Sequence, residues 1–213
     1  MVPDQSTDVR PPALPESFLR DARLARSLSI ATLVWLGAES SLGLAAGLSA
    51  HSVALIGWGW SSLVEALASL IVIWRFTGHR LHSPTAERRA QRAVAVSFWL
   101  LAPYLVAHVA YDLRAGERSV PTALGIAVTT ISLVSMPLLG LAKRRLGARL
   151  GSAATTGEGT QNVLCALMAA GVLAGLTATS LGCWWLDPAV ALALAAVAVR
   201  EGGKAWHGHS CRH

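Results

Sequence analysis

The sequence predicts an all-α integral membrane protein, a bundle of six transmembrane helices with both termini in the cytoplasm. The first observation behind this fold class is composition: 53% of the 213 residues are hydrophobic, 14% are charged, and the mean hydropathy is +0.48. The second is that six long apolar segments alternate with short basic patches. A membrane-spanning helix needs about 20 predominantly apolar residues and satisfies its backbone groups internally. The six segments are residues 27–49, 52–74, 93–112, 120–142, 155–180 and 183–200.

Basic residues predict the orientation of these segments. With six spans, all but Arg114 and Arg118 of the 18 Lys and Arg residues lie on one side. Basic loops stay in the cytoplasm, so we expect a multi-pass protein of the cell membrane with both ends inside. This bias accounts for the net charge of +6, and the expected partners are lipid headgroups rather than nucleic acid.

The chain divides into three parts. Residues 1–26 are polar and Pro-rich and are predicted to form a cytoplasmic tail. Residues 27–206 hold the six spans. Residues 207–213 (HGHSCRH) form a second cytoplasmic tail, whose histidines and cysteine either collect metal or have no role.

Polar residues form one stripe on each of two apolar segments. The stripes are Ser61, Ser62, Glu65 and Ser69 in the second segment, and Glu158, Gln161, Asn162 and Cys165 in the fifth. A charge at mid-bilayer costs roughly 2.5–3.5 kcal/mol, so such carboxylates normally face the interior of the bundle. The two stripes are therefore expected to face each other.

The depths of the two carboxylates support one shared site. Glu65 is ten residues from Arg75, and Glu158 is nine residues from Arg149. At 1.5 Å per residue, each carboxylate is predicted to lie roughly 14–15 Å from the layer of basic residues at the cytoplasmic ends of the spans. Two carboxylates at one level suit a small divalent cation. The alternatives are a protonated Glu65 that only joins helices, and a Glu158 that only favours the start of its helix.

Four further residues are candidates with open alternatives. Glu39 in the first segment either supplies another ligand or proton relay, or joins helices by hydrogen bonding. Cys165 either adds a soft sulfur ligand that favours zinc or packs as a small apolar residue. His108 and Asp112, one turn apart, either bind metal or pass a proton, or form a polar cap at the membrane interface.

Three stretches resemble the transmembrane domain of the cation diffusion facilitator (cation efflux) family. Residues 53–65 (VALIGWGWSSLVE), 157–165 (GEGTQNVLC) and 184–202 (WWLDPAVALALAAVAVREG) look like its second, fifth and sixth spans. The chain is most similar to the short bacterial "cation transporter" branch, which lacks the soluble C-terminal domain.

The resemblance implies a function and a site. Family members are six-span, usually dimeric transporters that move divalent metals, often zinc, out of the cytoplasm in exchange for protons. By motif position their metal ligands correspond to Ser61, Glu65, Glu158 and Asn162. The resemblance thus implies a homodimer in the bacterial cytoplasmic membrane, with a divalent cation as transported substrate.

Two hypotheses about function follow from the sequence. The first is a secondary transporter of divalent cations that works by proton-coupled alternating access. The alternative is a non-transporting membrane protein whose buried carboxylates are structural. An enzyme is not expected, because HExxH, GxSxG and P-loop motifs are lacking from the sequence, and no cofactor is predicted.

Overall fold

A computed structural model describes residues 14–50, 53–116, 123–180 and 185–207. The α-helices in these ranges are α1 (Glu16–Ala50), α2 (Val53–Arg75), α3 (Pro84–Ala115), α4 (Ala123–Leu150), α5 (Ala153–Ser180) and α6 (Leu186–His207). A short 3-10 helix, Gly78–His82, lies between α2 and α3, and no strand occurs within the described ranges. The predicted all-α class is confirmed.

Four helices extend beyond the predicted spans on the predicted cytoplasmic side. α1 begins inside the segment predicted as a tail, α3 begins before residue 93, and α4 and α6 continue past residues 142 and 200. Arg, Ala, Glu and Leu are abundant there and are good helix formers, so the helices persist where the apolar pattern ends. Half of the first predicted tail (residues 1–13) and all but one residue of the second (residues 208–213) lie outside the described residues.

The boundaries of α3 follow local signals. Ser83 has an extended backbone and its hydroxyl accepts a hydrogen bond from the Ala86 amide at 3.2 Å, which caps the helix ahead of Pro84. Gly116 ends the helix with a φ of 64°, a left-handed conformation that glycine adopts at little cost.

α5 lies at the centre of the helix packing. It contacts α2, α3, α4 and α6, and α1 packs against α2 and α4. The larger apolar core includes Val72, Phe98 and Leu146. A smaller cluster of Leu36, Ala66, Met136 and Ala166 contacts Cys165.

By length and apolar composition, one of the described helices, Pro84–Ala115, is able to cross a membrane. A single such helix is weak evidence for a membrane protein, so the six-span topology stays a prediction.

Large apolar side chains point outward from the helices. Val34 and Leu138 are 67% and 66% exposed, and Leu70 and Val199 are more than half exposed. The buried positions, by contrast, include hydroxyls, carboxylates and one lysine. This is the reverse of the usual arrangement in water, where charged residues are seldom fully buried.

Candidate functional site

A tight turn makes α4 and α5 an antiparallel hairpin. Gly151 has a φ of 61°, and the amide of Ser152 donates to the carbonyl oxygen of Gly147 at 2.8 Å, which closes the end of α4. Ser152 then caps α5, because its hydroxyl accepts from the amide of Thr155 at 3.2 Å. The turn fixes which residues of the two helices face each other.

Glycines let these two helices approach closely. A Cβ atom on Gly140 would lie 2.7 Å from the carbonyl oxygen of Gly159, and the reverse contact is equally short. Nearer the turn, a Cβ atom on Gly147 would lie 2.6 Å from the backbone nitrogen of Thr156. Between these two contact points the helices enclose a buried ion pair.

The ion pair joins Lys143 of α4 to Glu158 of α5. Lys143 Nζ lies 2.8 Å from Glu158 Oε1, and the side chains are 0% and 1% exposed. Two hydroxyl groups of α1 complete the cluster: Lys143 Nζ donates to Thr32 Oγ1 at 2.7 Å, and Ser29 Oγ donates to Glu158 Oε2 at 2.7 Å. Three helices therefore meet at one pair of opposite charges.

From the sequence, Lys143 is expected among the basic residues at the cytoplasmic ends of the spans, and its pair with Glu158 is not predicted. The signal was present, since residues equidistant from a tight turn face each other in a helical hairpin. Lys143 and Glu158 lie at matching distances from the turn at Leu150 and Gly151.

Glu65 has different neighbours. It is buried on α2, and the Cys165 thiol of α5 donates a hydrogen bond to its carboxyl group. Glu39 of α1 is also buried, lies close enough to interact electrostatically with Glu65, and accepts a hydrogen bond from Ser62. In the described part of the chain, the ion pairs do not involve Glu39 or Glu65.

Glu65 and Glu158 thus lie at different levels along α5. Cys165, the neighbour of Glu65, is seven residues from Glu158, about 10 Å along the helix axis. The expectation that both carboxylates share one level was wrong, because the nine residues from Arg149 to Glu158 include the turn and reverse direction.

A second network shows where the helix ends align. Glu87 of α3 accepts from Arg75 Nε at 2.7 Å through one carboxylate oxygen. Its other oxygen accepts from Ser152 Oγ at 3.0 Å and from the Ala154 amide at 3.2 Å. Arg75 is therefore level with the first turn of α5, and Glu65, ten residues from Arg75, lies about 6–9 Å farther along than Glu158.

Ser61 and Asn162, the other two predicted ligands, are both buried. Asn162 Nδ2 makes no hydrogen bond with a described residue. The adjacent Gln161 donates to Ser97 Oγ of α3 at 2.8 Å, while its carbonyl oxygen likewise has no described partner. The polar stripe of α5 is thus buried at Glu158, Gln161 and Asn162 and half-buried at Cys165, and it faces several helices.

His108 and Asp112 form their own contact on α3. His108 Nε2 is 3.7 Å from Asp112 Oδ2, and both side chains are about one quarter exposed. The His108 ring stacks on Tyr104 with 5.9 Å between centroids. All three residues belong to one helix, so the structure does not bring His108 to the carboxylates of α1 and α2.

The predicted ligands are therefore divided among separate clusters. Among the residues that the structure describes, no three His, Cys, Asp or Glu side chains are placed to hold one metal ion together. Glu39, Glu65 and Cys165 supply two carboxylates and a thiol from three helices, and the three groups interact electrostatically.

The fold and this interior define the chain as an all-α protein with buried carboxylates and an apolar exterior. No family model matches the sequence, and no curated protein matches it.

Proposed function

We propose that the chain is a six-span protein of the cytoplasmic membrane that exports divalent metal cations in exchange for protons. The observation that carries the membrane assignment is the reversal of polarity between surface and interior. Exposed leucine, valine and tryptophan side chains suit contact with lipid, whereas buried carboxylates suit a polar path through the bundle.

Glu39, Glu65 and Cys165 are the proposed binding residues for the transported cation, and binding would require these side chains to move closer together than they lie in the structure. Two neighbouring carboxylates repel each other when both are charged, and a divalent cation would neutralise both. Carboxylate oxygens with one thiolate or thiol sulfur favour zinc and similar ions over magnesium. The hydroxyls of Ser61 and Ser62 lie on the same helix as Glu65 and are candidates to complete the coordination.

Proton coupling follows from the same groups. A carboxylate cannot hold a proton and a metal ion with the same oxygen, so protons arriving from outside would release the cation. Helices α1, α2 and α5 each contribute one binding residue, so movement of one helix relative to the others would open and close the site. Any homodimer would be held by helix packing.

The test is cation flux into proteoliposomes, measured for zinc, manganese, iron and cobalt. Glu65→Gln keeps the shape and most hydrogen bonds of the side chain but removes its charge, so we expect loss of flux with normal membrane insertion. Glu201→Gln, at the exposed Lys204 pair of α6, is the matched control and should retain flux. Flux should also fall at lower pH.

Two outcomes would overturn this proposal. Equal flux in Glu65→Gln and wild type would remove Glu65 from the site. No flux of any of the four ions in wild type would leave the alternative function, a non-transporting membrane protein whose carboxylates hold helices together. The Lys143–Glu158 pair is the observation that favours this alternative, because one buried carboxylate already has a structural partner.

A further inference from the structure

The cluster around Glu158 has the chemistry of a binding site for a single positive charge. The Lys143 ammonium group contacts one carboxylate oxygen and one hydroxyl oxygen, at 2.8 and 2.7 Å. The carboxylate supplies one negative charge, which one ammonium group balances completely. A divalent cation at this place would leave one charge uncompensated in a buried site.

The surrounding hydrogen bonds orient these oxygens toward the cation. The Thr32 hydroxyl donates its proton to the Leu28 carbonyl oxygen at 3.0 Å, so the lone pairs of Oγ1 are free to accept from Lys143. Ser29 donates to the second carboxylate oxygen and so fixes the plane of the Glu158 carboxylate. The arrangement is fully buried and is built from three helices.

We propose that Glu158 and Thr32 form a site for one monovalent cation, and that the ammonium group of Lys143 is its permanent occupant in place of a diffusible ion. The transported divalent cation is therefore excluded from Glu158 and is bound at Glu39 and Glu65. Only this consequence rests on the proposed function. The site itself is inferred from the contacts of Lys143 and is tested without transport.

Chemical rescue tests the site directly. Lys143→Ala removes three carbons and the ammonium group, which together correspond to propylammonium. The purified variant is heated with propylammonium, with 1-propanol, which has the same chain without the charge, and with choline, which is too large. We expect propylammonium alone to raise the unfolding midpoint, by about 3–6 °C at about ten times its dissociation constant.

Two control variants make the result specific. Lys143→Ala combined with Glu158→Gln lacks the buried negative charge and should show no rescue by propylammonium. Lys204→Ala removes a lysine from an exposed pair with Glu201 and should respond to none of the three compounds. If Lys143→Ala is not recovered folded, the yield of folded protein is compared after purification in propylammonium and in choline.

The outcomes separate the two proposals. Equal stabilisation by propylammonium and 1-propanol, or rescue that persists without Glu158, would overturn the cation site. Rescue of Lys143→Ala in a protein that transports no metal would support the cation site and refute only the proposed transport.

Discussion

Neutralising both members of the Lys143–Glu158 pair should be less harmful than neutralising one. At 2.8 Å, and with an effective dielectric constant of about 20, opposite unit charges attract by about 6 kcal/mol, much of which offsets the cost of burying them. Lys143→Met or Glu158→Gln alone leaves a buried charge without its partner. Each should lower the free energy of unfolding by about 3–5 kcal/mol.

The double variant should lose only about 0–2 kcal/mol, since it buries no charge, keeps an amide oxygen that can accept from Ser29, and loses mainly the hydrogen bond from Lys143 to Thr32. The measurement is reversible denaturation of the four proteins in the same detergent, analysed as a double-mutant cycle. Losses that simply add in the double variant would refute the argument, because they would show that the two charges do not depend on each other.

Three further predictions follow from other contacts. Gly159→Ala should lower the free energy of unfolding by about 1–3 kcal/mol, since the new Cβ would meet the backbone of the opposing helix. Gly37→Ala, with open space around the glycine, should not destabilise the protein. Equal effects of the two substitutions in denaturation would contradict the close packing of α4 on α5. Glu87→Ala should cost about 1–3 kcal/mol in the same assay by removing the carboxylate partner of the buried Arg75, and a loss no greater than that of Glu201→Ala would count against it. With both termini inside, a membrane-impermeant thiol reagent should label Cys211 only after the cells are permeabilised. Labelling of Cys211 in intact cells would contradict the predicted topology.

Composition and periodicity were sufficient to predict the helices, but the depth of Glu65 and Glu158 along the bundle could not be obtained by counting residues alone. The count from Arg75 to Glu65 runs along one helix and is a real distance. The count from Arg149 to Glu158 crosses the turn at Gly151, so its nine residues do not add up to an axial length. Treating the two counts alike placed Glu65 and Glu158 at one level.

The Lys143–Glu158 pair was predictable in principle, and the contact between Glu65 and Cys165 was not. A hairpin with a tight turn fixes the register of its two helices, and Gly140 and Gly147 mark the face of α4 that lies against α5. Glu65 and Cys165, by contrast, are 100 positions apart in the chain, and the rotation of α2 relative to α5 depends on packing with several other helices. No local pattern determines it.

The carboxylates of Glu39, Glu65 and Glu158 differ in what balances their charge, and this difference is the best guide to their roles. Glu158 has a lysine and two hydroxyls, so removing its charge disturbs a completed cluster. Glu39 and Glu65 have hydroxyl and thiol neighbours, which lower the cost of burial without supplying positive charge. Because two adjacent carboxylates are stable together only when protons or a cation join them, they are the groups able to exchange one for the other.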